Sequence, residues 1–177
     1  MAEGGAVRPC LVVMSGLPGT GKTTIARRVA TSVAGVHLRI DTIEAALKRS
    51  VLGIDPAEDA GYCVGYAVAA DNLVGTAMVV ADSVNPIALT RDAWAAVARA
   101  KRAGLVEVEV ICSDPSVHRR RVEGRASDVD GLTLPTWRDV LERTYEPWSR
   151  ARLVVDSATT SAQDAASRIV AAARAAA

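Results

Sequence analysis

The sequence predicts an α/β fold: a parallel sheet covered by helices on both faces. Three observations carry this. Short apolar runs alternate with segments of helical periodicity along the chain, the order expected of βαβ units. The first run, Val12-Val13-Met14, leads into a glycine-rich turn and then a helical pattern. Acidic and polar residues follow later apolar runs directly, at the carboxyl ends of strands where open sheets bind ligands.

The strands expected are Leu11–Ser15, Val36–Ile40, Ala77–Ala81, Val106–Cys112 and Arg152–Val155. The helices expected are Thr23–Ala34, Thr42–Ser50, Pro56–Thr76, Thr90–Ala103, Pro115–Arg125, Pro135–Tyr145 and Ser161–Ala175. Thr90 is suited to cap its helix, and Asp114-Pro115 reads as a cap with proline at the first helical position.

The glycine-rich turn has the most specific chemistry. Gly16-Leu17-Pro18-Gly19-Thr20-Gly21-Lys22-Thr23 fits G-x-x-x-x-G-K-[ST] at each fixed position. Its glycines let successive N–H groups point into one concavity that holds phosphate oxygens. Lys22 opens the next helix, where its ammonium can reach the β- and γ-phosphates, and the Thr23 hydroxyl can ligate Mg²⁺. Thr24 closes the binding stretch, and Ile25, Val29 and Val33 continue at a helical period. ATP and Mg²⁺ are therefore the expected cofactors.

Composition bounds the rest. A chain of 177 residues can bury a core without disulfides or metals, and a single domain over 1–177 is expected. Half the residues are apolar yet Phe is absent, so the core must rest on Val, Leu, Ile and Ala. A net charge of +1 creates no global field to recruit nucleic acid or a membrane. Cys10, Cys63 and Cys112 lack metal spacing and read as buried apolar residues in a reducing cytoplasm. Met1–Arg8 lacks the basic-then-apolar pattern of a leader. Ala60–Ala81 is the most apolar window, but Asp71, Asn72 and three glycines argue against a membrane span.

The strand ends supply the remaining candidates. Asp41, after the second strand, is placed to orient an attacking hydroxyl and take its proton, or to cap the following helix. Glu44 lies one turn on, either against substrate or simply favoured by the helix dipole; Arg39 points to the site or pairs with an acid. Asp82, ending the third strand, either holds Mg²⁺ through water, positions the acceptor, or caps the strand end. Asn85, Arg91 and Tyr66 are candidate acceptor contacts, with Tyr62 in the same expected pocket; a turn role for Asn85 and a surface role for Arg91 are the alternatives. After the fourth strand, Arg121 and Arg125 share a helix face suited to clamping transferring phosphates, while His118 reads as a surface residue. The polar stretch beyond them makes about 119–134 lid-like. Asp156-Ser157 reads as an adenine-side loop, and Trp137, Tyr145 and Trp148 as packing aromatics.

In this order, the phosphate loop, Arg39-Ile40-Asp41, Val79–Pro86 and the R-x-x-x-R pair resemble small P-loop kinases of the polynucleotide-kinase-like group. Gluconate kinase, chloramphenicol phosphotransferase and zeta toxin are related to that group. The resemblance implies a three-layer P-loop NTPase fold with a five-stranded parallel sheet ordered 2-3-1-4-5, and phosphoryl transfer from Mg·ATP to a hydroxyl. By motif position it implies Lys22 and Thr23 on phosphates and Mg²⁺, Asp41 as base, and Arg121 with Arg125 in the lid.

One departure matters. Many members of that group carry D-x-x-R after the second strand, whereas this chain has Asp41-Thr42-Ile43-Glu44. A carboxylate there repels a phosphorylated acceptor. The expected partner is thus a small neutral polyol or sugar, or an amine-bearing acceptor such as an amino sugar or antibiotic; nucleotides and nucleic-acid ends are disfavoured. An ATPase or switch without an acceptor is the alternative, but no glutamine stands near the motifs to position water, and no [NT]-K-x-D motif selects guanine.

Overall fold

A computed structural model describes residues 8–177. The elements run β1 (Cys10–Ser15), α1 (Lys22–Ser32), β2 (Val36–Arg39), α2 (Ile40–Arg49), α3 (Ala60–Asn72) and β3 (Met78–Asp82). They continue with α4 (Ala88–Ala100), β4 (Gly104–Ile111), α5 (Pro115–Gly124), α6 (Trp137–Glu142), β5 (Leu153–Asp156) and α7 (Ala162–Ala176). All five strands are parallel, in the order β2-β3-β1-β4-β5, as the resemblance implied. This is the three-layer α/β fold of P-loop NTPases.

Alternation along the central strand builds two cores. Cys10, Val12 and Met14 face α1 and α7, packing with Ile25, Val29, Val108, Val110, Ile169 and Ala173. Leu11 and Val13 face α3 and α4, packing with Leu38, Val79, Ala69, Leu73 and Trp94. Covered on both sides, β1 is apolar from Cys10 to Met14, whereas β4 is broken by Glu107 and Glu109, which pair with Arg150 and Arg152.

Boundaries moved where local chemistry outweighed the pattern. Thr90 does not cap α4: the helix starts earlier, at Ala88, and the Thr90 hydroxyl donates back to the Ile87 carbonyl. Asp114 does cap α5, accepting from the N–H groups of Ser116 and Val117. α6 shortens to one and a half turns behind a capping box of Thr136 and Asp139. Of the three cysteines expected to be buried, Cys10 is, and burial pushes its thiol up to about 11. Cys63 is exposed and Cys112 half-buried. The leader reading of Met1–Arg8 falls, for 1–7, outside the described residues. Among the described residues no helix is long and apolar enough to cross a membrane.

Candidate active site

Register sets the site. Met14 of β1 and Arg39 of β2 are both level with Asp82 of β3, so three strand ends open at one edge. There the chain forms a cleft of about 1400 Å³.

The glycine-rich turn is its floor. Gly16 has φ +131°, and a Cβ there would stand 2.1 Å from the Val110 carbonyl oxygen, so no side chain fits. Gly19 has φ +83°, and its Cβ would meet Val122 of α5 at 2.4 Å. Pro18, Gly19, Gly21, Lys22, Thr23 and Thr24 line the cleft. Gly16, Leu17 and Thr20 instead border a smaller cavity of about 180 Å³ behind the turn. These three do not line the cleft, and the Thr20 hydroxyl donates to the Leu17 carbonyl at 2.9 Å.

Lys22 is only 8% exposed, and its ammonium donates to the Leu17 carbonyl at 3.0 Å. Burial holds its pKa below the usual lysine range, against the pull of Asp82 and Asp41. Asp82 is 2% exposed. Burial alone raises its carboxyl, but the His37 hydrogen bond, the Lys22 charge and Thr23 together hold it below the usual range. His37, on β2, stands with Nε2 3.3 Å from the Asp82 carboxylate. A buried carboxylate beside a threonine hydroxyl is a hard-oxygen donor set that fits Mg²⁺.

Asp41 lies within the first turn of α2, whose N-cap position is held by Arg39, and it lines the cleft with Arg39 at 3.4 Å. The alternative reading as a helix cap is set aside by that geometry. Glu44 also lines the cleft; burial first, then the Asp41 charge, pushes its carboxyl above the usual range. Arg39 pairs with Asp128 at 2.8 Å. Asp128 also pairs with Arg27 of α1, and Arg49 of α2 pairs with Asp130 at 2.5 Å. Acid–arginine pairs thus tie the segment after α5 across the cleft.

Arg121 and Arg125 both line the cleft. Arg121 donates to the Ser157 hydroxyl at 2.8 Å and to its carbonyl at 3.0 Å, joining α5 to the loop after β5. Among the described residues, Arg125 Nε is buried without a hydrogen-bond partner.

Three candidates sit elsewhere. Arg91, read from the sequence as an acceptor contact or a surface residue, is neither: it is 2% exposed. It donates to the carbonyls of Asn85, Pro86, Glu146 and Pro147 and stacks on Trp148. Asn85 is fully buried, donating to the Met14 carbonyl and Ser15 hydroxyl while accepting from the Trp94 indole. Tyr66 packs edge-on against Trp94, and its hydroxyl donates to the Thr90 carbonyl. All three brace the β3–α4 connection behind the cleft.

Some groups in or behind the cleft were misplaced or missed in the sequence. His118 is buried, not on the surface: its Nε2 donates to the Pro18 carbonyl at 2.8 Å and its ring meets Trp137 edge-on. Arg143, just past α6, lines the cleft with its charge felt at Lys22 and Glu44. Ser83, beside Asp82, lines it too, with Oγ buried and unpartnered. The hydrophobic strand before Ser83 and the basic residue ending α6 were the signals available, and both are weak alone.

The chain is similar in fold to several solved structures. The APS kinase CysC of Mycobacterium tuberculosis, in complex with AMPPNP and APS, aligns over 93% of this chain and 97% of that one, with a TM-score of 0.67 and 16% identity. A gluconokinase from Sinorhizobium meliloti 1021 aligns over 94% and 90%, with a TM-score of 0.59 and 22% identity. Kti12 of Chaetomium thermophilum, in complex with ADP-AlF3, aligns over 92% and 98%, with a TM-score of 0.65 and 22% identity. No curated protein matches the chain by sequence. With a family profile described as AAA domain matching residues 11–147, most of its length and all of the phosphate loop, the chain belongs to that family.

Proposed function

We propose that the chain is a cytoplasmic P-loop kinase of the polynucleotide-kinase-like group. It moves the γ-phosphate of ATP to a hydroxyl of a small acceptor: a polyol, sugar, amino sugar or antibiotic-like molecule. One observation carries this reading. An unpaired-to-cap carboxylate, Asp41, and a buried one, Asp82, meet the phosphate loop and Lys22 in a single cleft. A nucleotide-hydrolysing switch has no need of a carboxylate placed for an incoming hydroxyl.

Lys22 leaves the Leu17 carbonyl for the β- and γ-phosphates, and the loop N–H groups hold the remaining oxygens. Thr23 and Asp82 would hold Mg²⁺, which supplies positive charge against the phosphates when bound. Asp41 orients the acceptor hydroxyl in line and accepts its proton. Arg121 and Arg125 neutralise charge on the transferring group, and Arg121 also fixes the loop at Ser157 that borders the adenine side. The segment at about 119–134 acts as lid over a single domain spanning 1–177, keeping water from the reaction.

Arg143, which has no ion pair among the described residues, favours a second reading, a phosphorylated acceptor such as a nucleotide. The test is transfer of labelled γ-phosphate from ATP into an acid-stable ester. Label is expected in neutral or amine-bearing acceptors; label confined to nucleotides or to 5′-hydroxyl oligonucleotides supports the second reading, and label in inorganic phosphate alone overturns both.

A further inference from the structure

Glu44 is a carboxylate that forms no ion pair among the described residues, although the charges of Lys48 and Arg143 reach it. It is half-buried in the cleft wall, and among the described residues no hydrogen bond or ion pair engages it. α3 fixes it there: at Gly61 a Cβ would stand 2.4 Å from Glu44 Cγ and 3.0 Å from Oε1. The helix backbone is thus laid against the acid, which cannot fold away into solvent without leaving that contact.

The two cations felt at Glu44, Lys48 and Arg143, make no ion pair with it among the described residues. Lys48, one turn on, pairs with Asp55 at 2.9 Å. Arg39 is held by Asp128 and Asp41. Arg143 lines the same cleft, and its charge is felt at both Glu44 and Lys22. Asp41 adds a second negative charge one turn away on the same helix side. A desolvated carboxylate with a like-charged neighbour is stabilised by a cation brought from outside.

A second observation points to the same ligand. Ser83 is 3% exposed and lines the cleft; its Oγ is near the Tyr62 hydroxyl, but among the described residues it makes no hydrogen bond of ordinary length. The Tyr62 hydroxyl accepts from the Asn85 N–H at 3.1 Å, which leaves its own proton to donate. Neutral hydroxyl groups satisfy both; an anion satisfies Tyr62 and is repelled by Glu44.

We infer that Glu44, Ser83 and Tyr62 form a seat for an amine-bearing acceptor, an amino alcohol or amino sugar, with its ammonium on Glu44. Its neutral hydroxyls meet Ser83 and Tyr62, and the hydroxyl that receives phosphate lies at Asp41, a few bonds from the amine. This rests on the phosphotransferase reading above. The balance of the transfer is simple. The acceptor oxygen bonds to the γ-phosphorus, the bond to the β-bridging oxygen breaks, ADP leaves, and the hydroxyl proton goes to Asp41.

The experiment pairs each amine with its hydroxy or acetylated counterpart: glucosamine with glucose and N-acetylglucosamine, serinol with glycerol, 2-aminoethanol with ethylene glycol. Gluconate and glycerate are the anionic arm. Equilibrium binding in the presence of Mg·AMPPNP and phosphoryl transfer from Mg·ATP are measured separately, with thermal unfolding to show that each variant is folded. At least one amine is expected to bind about tenfold or more tightly than its counterpart, and Glu44→Gln to bring the pair together. Ser83→Ala is expected to weaken serinol while keeping the preference for amine. Amine-selective, Glu44-dependent binding with no transfer upholds the seat and sinks the phosphotransferase reading. Transfer to hydroxy or anionic acceptors with no amine preference, a preference that survives Glu44→Gln, or no amine bound better than its counterpart overturns the seat.

Discussion

Asp128 and Arg39 lie 89 residues apart in sequence and form an ion pair of 2.8 Å across the mouth of the cleft. Asp128 holds Arg27 as well, so one carboxylate joins the segment after α5 to α1 and to the end of β2. The same Arg39 reaches Asp41. Closure of the segment and placement of the proposed base therefore share one guanidinium.

Asp128→Asn is expected to open this segment. Exposed pairs are worth about 0–1 kcal/mol each, so the effect on global stability is small. The effect on access is larger: limited proteolysis within 126–134 should quicken, and rising salt should mimic the substitution. The two guanidiniums hold the Asp128 carboxyl far below the usual range. A lowered acid pKa gives stability that is complete above the unfolded value of about 3.9 and lost only as pH falls through the folded one. Proteolysis should accordingly be insensitive to pH near neutrality.

His118→Ala tests the support under the phosphate loop. It leaves the Pro18 carbonyl without its donor and removes a ring from beside Gly19. Loss of a buried partner costs about 1–3 kcal/mol, to be read in denaturant unfolding. Mg·ATP affinity should fall as well. The pH profile of turnover should keep its shape, because the ring positions the loop and does not exchange protons with substrate; a changed profile would falsify this assignment.

Glu44→Gln is expected to raise thermal stability at neutral pH. The folded pKa of Glu44 is raised by burial and by Asp41, so the folded state favours the protonated form. Above that pKa the ionised carboxylate destabilises the fold, and below the unfolded value of about 4.3 the penalty is gone. The gain in Tm should shrink as pH falls through the carboxylate range. A gain that is equal at acid and neutral pH, or a loss, contradicts the picture of an uncompensated acid.

Arg143 and Arg91 separate two kinds of arginine. Arg143 faces the cleft with no ion pair or hydrogen bond among the described residues, near Lys22. Arg143→Ala should leave folding intact and lower kcat by about 10²–10³ if it meets the transferring phosphate. Arg91→Ala should do the reverse. Four carbonyls lose a charged donor, each such bond being worth about 1.5–3 kcal/mol, and the loss appears in unfolding or expression rather than in KM.

Those two residues also show what was legible in the sequence. The five strands, seven helices and phosphate loop could be read because period, glycine spacing and caps are local signals. Asp41 and Asp82 could be placed at the cleft because parallel strands put their carboxyl ends at one edge. Arg91 could not be read, since its partners Glu146 and Pro147 are more than fifty residues away and reach it through a loop of no regular pattern. Asn85 misled for a related reason: the polar residue after a strand was tied inward by Trp94 and Met14. His118 looked like one more residue of a solvated basic helix, and only the packing of α5 on the phosphate loop turned it inward.

The central claim is that Asp41 serves an acceptor hydroxyl beside a bound Mg·ATP. The most direct measurement is ADP release from Mg·ATP with and without a pool of neutral and amine-bearing hydroxyl acceptors, in wild type, Asp41→Asn and Lys22→Ala. The account predicts turnover that rises with acceptor in the wild type and falls by about 10²–10⁴ in Asp41→Asn while nucleotide affinity holds, with Lys22→Ala impaired in both. Turnover that ignores every acceptor and survives Asp41→Asn would contradict it.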